Sequence, residues 1–186
     1  MTCIIALKTP NNVIIGSDRA ISYNDRKTLL AHSKVIKKSE QCYIGTSGSS
    51  SIHNNLEIFE LPDRGYDQDA YDYMINNFVP ALRNRFSENL LMTTKDGFHE
   101  FDGIILVVLN GRIFEVSCRF SVIESLSEYL VIGSGTNFAL GSLHSTDGFE
   151  EAFGMTSRAR VLIALEAAAA NDPYVSRPFD IIEVPL

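Results

Sequence analysis

The chain begins with two short apolar runs, Cys3–Leu7 and Val13–Gly16, parted by the turn formers Pro10-Asn11-Asn12 and closed by Ser17-Asp18. No other feature constrains the fold as much. Apolar runs of this length on either side of a turn read as a hairpin with strands at residues 2–8 and 13–18. Most domains leave their first residues loose at the surface. Here the apolar run commits the N-terminus to the core from residue 2, a threonine.

The rest of the chain supplies the layers such a hairpin needs. Residues 29–37 and 42–46 read as a second strand pair around Ser39-Glu40-Gln41. Ile52, Leu56 and Phe59 fall at helical spacing before Pro62 stops the pattern. Tyr71, Met74, Ile75, Phe78, Leu82 and Phe86 form a longer helical stripe, with Pro80 expected to kink or break it. Residues 87–101 read as a polar excursion. IILVVL, the turn Asn110-Gly111 and IFEVSC then make the clearest hairpin in the chain. LVIGSG is a strand entering a small-residue turn and a short helix near Phe138–Leu143. Thr156 or Ser157 caps a helix to about Ala170, buried through Val161, Leu162, Leu165 and Ala169. FDIIEV is the final strand. Hairpins with helices grouped between them predict an α+β chain, two antiparallel sheets enclosed by two helical layers.

Bulk properties narrow the partners. A chain of 186 residues is expected to form one domain, residues 1–186, with a sizeable core. A net charge of −7, and no basic cluster denser than Lys34, Lys37 and Lys38, argue against nucleic acid. No run reaches the roughly 18 apolar residues of a membrane span. The start lacks the charged region of a signal peptide, and a turn interrupts its apolar stretch. Three cysteines, Cys3, Cys42 and Cys118, lie in apolar strand-like surroundings without metal-ligand spacing, as free thiols of a reducing compartment do. A cytoplasmic protein without cofactor or metal is expected.

Several residues carry possible chemistry. Removal of Met1 would give Thr2 a free α-amine beside its own hydroxyl, and an α-amine, with a reference pKa of about 7.7–8.0, serves as a base near neutral pH. Asp18 ends the second strand, and Lys34 lies within the strand-like LLAHSKVI. Each has an ordinary explanation alone: a strand former, a turn former, a snorkelling lysine. Together they supply a nucleophile, a cation that favours its deprotonation, and an acid to hold that cation. GTSGSSS ends a strand and opens a helix, where backbone N–H groups can hold an oxyanion and Gly48 permits close approach. It is also a plain Gly/Ser turn, and it lacks the ending of a phosphate loop.

TCIIAL, GSDRAIS, SKVIKK, YIGTSGSSS and VIGSGTNFALGSL, in that order and at these intervals, resemble the proteasome β-type subunits of the N-terminal-nucleophile hydrolases. The chain looks most similar to the short bacterial proteasome-like peptidases that pair with a AAA+ unfoldase. The resemblance implies a four-layer αββα sandwich and peptide-bond hydrolysis through an acyl-enzyme inside a homo-oligomeric ring. The substrate it implies is a peptide or unfolded protein. Thr2 would be nucleophile and base, Lys34 would tune it, and Asp18 would orient Lys34. The Gly48 N–H would form the oxyanion hole, while Ser134 and Asp172 would support the amine. His32, Thr46 and Ser50 would line the specificity pocket. NDPYVSRP departs from the family's usual ending after Asp172. With Met1 retained, the same fold would be a silent structural subunit; an amidase acting on a small amide is a third reading.

Overall fold

The computed structural model describes residues 2–23 and 26–186. The expected loss of Met1 falls outside the described residues. The opening hairpin forms from β1 (Ile4–Lys8) and β2 (Asn12–Asp18), in register Ile4↔Ser17 to Lys8↔Val13. A ribbon of β3 (Ala20–Tyr23) and β4 (Arg26–Leu29) follows. The strand expected at residues 29–37 begins only at Val35. β5 (Val35–Ser39) pairs with β6 (Cys42–Gly48), and the residues between Leu29 and Val35 form a loop. Polar and charged side chains there give no alternation to propagate a strand.

Helical segments come next: α1 (Ser50–Glu57), α2 (Ala70–Tyr73) and α3 (Val79–Glu88), the last two joined by a π-helical turn at Met74–Phe78. Pro80 is the second residue of α3, directly after the π turn, so the break expected at the proline takes the form of a π turn within a continuous helix. The π turn also rotates the helical face. Met74, Phe78, Leu82 and Phe86 are buried as expected, Tyr73 joins them, and Tyr71 and Ile75 are left 37 % and 42 % exposed.

The polar excursion proves to be a ribbon of β7 (Met92–Lys95) and β8 (Phe98–Phe101). β9 (Gly103–Leu109) and β10 (Arg112–Val116) turn at Asn110-Gly111, both with positive φ, as a two-residue hairpin requires. β11 (Val122–Glu124) and β12 (Tyr129–Ile132) lead to α4 (Thr136–Ser145), α5 (Phe149–Phe153) and α6 (Ser157–Asn171). Thr156 caps α6 by accepting from the Ala159 N–H at 3.2 Å. Its buried face is Arg160, Val161, Ala164, Leu165 and Ala168; Leu162, expected inside, is 39 % exposed. β13 (Phe179–Pro185) ends the chain.

The strands form two larger antiparallel sheets, in the orders β12-β1-β2-β13 and β11-β10-β9-β6-β5. Buried apolar residues gather in three clusters. One joins the two sheets through Ile4, Ile15, Tyr43, Leu106 and Val108. A second joins the first sheet to α4 and α6, through Ile5, Leu7, Leu143, Val161 and Leu165. The third joins the second sheet to the helices of residues 50–88, through Ile44, Val107, Leu56, Phe78 and Phe86. Cys3 and Cys42 are buried, Cys118 is half-buried, and all three are free. No described helix is long and apolar enough to cross a membrane.

Candidate functional site

Thr2 is held between the two strands that flank β1. The turn after β12 cups its backbone: the Gly135 N–H donates to Thr2 O at 3.2 Å, and the Thr2 N–H donates to Ser134 Oγ at 3.2 Å. Gly133, at φ +106°, makes this approach possible. A Cβ there would stand 2.0 Å from Thr2 O, so no other residue fits without moving the strand.

On the other side lies Asp18, at the last position of β2. Hairpin register brings it beside Cys3: the Asp18 N–H donates to Cys3 O at 3.2 Å, and Asp18 Oδ1 accepts from the Cys3 N–H at 3.0 Å. Oδ2 accepts from the Ala20 N–H at 2.9 Å. Lys34, one residue ahead of β5, completes the group. Its Nζ donates to Asp18 Oδ1 at 2.7 Å and to Thr2 Oγ1 at 3.2 Å. Thr2, Asp18 and Lys34 are 4 %, 0 % and 5 % exposed. Burial lowers the Lys34 pKa from its ordinary value, while the charge and hydrogen bond of Asp18 oppose that shift. Burial drives the neighbouring Cys3 thiol up to about 12, so it stays protonated and leaves the field to the lysine. An ammonium resting against a hydroxyl in a water-poor setting favours that hydroxyl's deprotonation.

Gly48 ends β6 at φ +126°, with a Cβ excluded by Asp102 O at 2.3 Å. It stands where two hollows meet. The smaller, about 80 Å³, is lined by Thr2, Lys34, Thr46, Ser50 and His53, with Ile21 and Leu30 closing one wall. A more open groove, about 710 Å³, begins at Gly48 and Ser134 and runs away along the sheets.

Thr46 and Ser50, expected to line a specificity pocket, both border this small cavity beside Thr2 and Lys34. His32 does not: it is exposed in the loop before β5 and absent from the lining. That loop replaces the strand expected there, and without strand pairing His32 turns to solvent. His53 lines the cavity instead. Burial lowers its pKa, partly offset by Glu57, whose Oε1 lies 3.5 Å from Nε2. The available signal was its position one helical turn after Ser49 and Ser50. Ile21 comes from β3 and Leu30 from the residue that follows β4, a ribbon the sequence pattern did not reveal.

Asp172 is 6 % exposed at the C-cap of α6. Its Oδ1 accepts from the Tyr174 N–H at 2.9 Å, and its Oδ2 is buried without a hydrogen-bond partner among the described residues. Its charge raises the pKa of both Lys34 and Cys3, which puts it within electrostatic reach of the cluster. Among the described residues no group of three or more His, Cys, Asp and Glu is arranged to hold a metal ion.

No protein-family model matches the chain, and no curated protein matches it. Solved structures do. BPH of Thiobacillus denitrificans superposes with a TM-score of 0.81 at 19 % identity, over 99 % of this chain and 98 % of that one. The same protein in complex with epoxomicin gives 0.80 at 18 % identity, with the same coverage. The eukaryotic HslV of Trypanosoma brucei gives 0.68 at 17 % identity over 99 % of each chain. Anbu, an ancestral beta-subunit from Yersinia bercovieri, gives 0.70 at 12 % identity over 100 % of this chain and 81 % of that one. Mixed helices and antiparallel sheets, joined along nearly the full length to these neighbours, give the chain the fold of the proteasome β-type, N-terminal-nucleophile proteins.

Proposed function

We propose that the chain is an N-terminal-threonine peptidase, active once Met1 is removed, and assembled into a homo-oligomeric ring. One observation carries this reading: a single buried ammonium, Lys34 Nζ, hydrogen-bonds both Asp18 Oδ1 at 2.7 Å and Thr2 Oγ1 at 3.2 Å. In that reading the freed Thr2 amine, beside Ser134 Oγ, takes the hydroxyl proton as Oγ1 attacks the peptide carbonyl. Lys34 stabilises the developing alkoxide. The Gly48 N–H receives the oxyanion, and glycine is needed there for its positive φ. Collapse of the tetrahedral intermediate expels the leaving amine, which takes the proton from the Thr2 amine. Water then hydrolyses the ester by the same route. Asp172 contributes negative potential that keeps Lys34 charged.

The three apolar clusters support an αββα order, two sheets face to face with helices outside. Ring contacts are the use we assign to Tyr71 and Ile75, four residues apart on one exposed helical face. A ring that hides its sites calls for unfolded substrate, and so for a AAA+ unfoldase in the cytoplasm. The small cavity suits a small side chain on the acyl side.

Epoxomicin, named with the Thiobacillus relative, is the probe. Intact mass of the purified chain, before and after treatment, should reveal loss of Met1 and one adduct; Thr2→Ala should give no adduct and no peptide hydrolysis. Retained Met1 with no adduct would refute the peptidase and favour a silent structural subunit of the same fold.

A further inference from the structure

The larger groove contains a charge in an unusual place. Along β10, Ile113 joins the cluster between the two sheets, while Phe114 and Val116 join the cluster against the helices. Alternation sends Glu115 to the same side as Ile113, the sheet-to-sheet side. Its cross-strand neighbour on β9, Leu106, is a fully buried member of that inter-sheet cluster. A position that the pleat assigns to the core is thus given a carboxylate. It survives because the sheets part here, and Glu115 lines the groove opposite Val131 and Ile132 of β12. Among the described residues no hydrogen bond or ion pair engages this carboxylate, and burial raises its pKa. A half-buried carboxyl without a partner costs stability unless a ligand supplies the missing cation.

The groove's direction follows from proton transfer, and this step rests on the peptidase reading above. The amine that accepted the Thr2 hydroxyl proton must return it to the departing nitrogen. The leaving group therefore lies on the amine side of Thr2, which is the Ser134 side, where the groove begins. The acyl side lies toward Lys34 and the small cavity. Gly48 borders both hollows, as a residue beside the scissile carbonyl must.

We propose that Glu115 receives a lysine or arginine side chain on the leaving-group side of the scissile bond, so that the enzyme selects basic residues after the cut. A groove of about 710 Å³ has room for several residues of an extended chain, and its only acid among the lining side chains is Glu115.

The test uses quenched fluorescent peptides with one fixed acyl half and either Lys or Met at each of the first three leaving-group positions. At one position the Lys peptide should show kcat/KM about tenfold above its Met counterpart, the scale of a charge-assisted contact. Glu115→Gln should erase that preference and leave the Met peptides within about twofold of wild type. Cleavage of both peptides with no preference, or a preference that survives Glu115→Gln, overturns the role of Glu115 while the Thr2 mechanism stands. Cleavage of neither peptide, with no epoxomicin adduct, overturns both.

Discussion

Replacing Asp18 by Asn tests whether the centre depends on a buried charge pair. Asp18 is fully buried, and its two oxygens accept from Cys3 N, Ala20 N and Lys34 Nζ. Asn cannot accept at both ends and carries no charge, so Lys34 keeps its burial and loses its counter-ion. Breaking one side of such a pair typically costs about 3–5 kcal/mol. An independent limit agrees. Lys34 can escape the penalty by releasing its proton, which at pH 7 costs about 4.6 kcal/mol from a reference pKa near 10.4. The loss should therefore be on the order of 4 kcal/mol, a Tm drop of roughly 10 °C for a chain of this size. It should also depend on pH in a fixed direction. With the folded pKa of Lys34 lowered further, the unfolded state binds more protons, so stability rises as pH rises towards 10, by up to about 1.4 kcal/mol per unit. Urea titrations at several pH values measure this. Asp18→Asn together with Lys34→Met should recover most of the loss. A single variant within about 0.5 kcal/mol of wild type, with no pH slope, would refute a buried charged pair.

Two further outcomes follow from the same geometry. Peptidase activity should rise with pH as the Thr2 amine loses its proton, near its reference of about 7.7–8.0, and fall again as Lys34 loses its own; because burial lowers the Lys34 pKa, that alkaline limb should lie below the ordinary lysine value, and a rate still climbing past it would exclude Lys34 as the activating cation. Gly133→Ala would put a methyl 2.0 Å from Thr2 O, so kcat should fall at least about tenfold while the epoxomicin adduct forms slowly or not at all; wild-type kinetics would mean that the turn after β12 does not position the nucleophile.

The residues that end strands were readable from sequence because strand ends carry marks. Thr2 directly precedes an apolar run, Asp18 and Gly48 close strands that begin with one, and the turn glycine Gly133 follows one directly. Their convergence was a matter of register and tertiary pairing. Lys34 illustrates the limit: the sequence suggested a strand residue, yet it sits ahead of β5 in a loop, and only packing buries it. The resemblance puts His32 in the pocket and leaves His53 out, because the β3–β4 ribbon that supplies one wall of the cavity is short, with little alternation to announce it. The helical stripe was correct in kind but wrong at Tyr71 and Ile75, because a π turn is a local rotation that a fixed period of 3.6 cannot express. Glu115 carried a legible signal, an acid in an otherwise apolar alternating strand, whose meaning depended on where the sheets part.

The strand order also sets a schedule. β1 is an interior strand, flanked by β2, its neighbour in sequence, and by β12, which begins only at Tyr129. Ser134, Gly133 and Gly135, which cradle Thr2, leave the ribosome later still, and Asp172 after them. Contacts this distant in sequence form slowly and last. On the peptidase reading, a nascent chain carries its threonine without the surroundings that would make it reactive until β12 and the turn after it have emerged, so topology alone delays that reactivity.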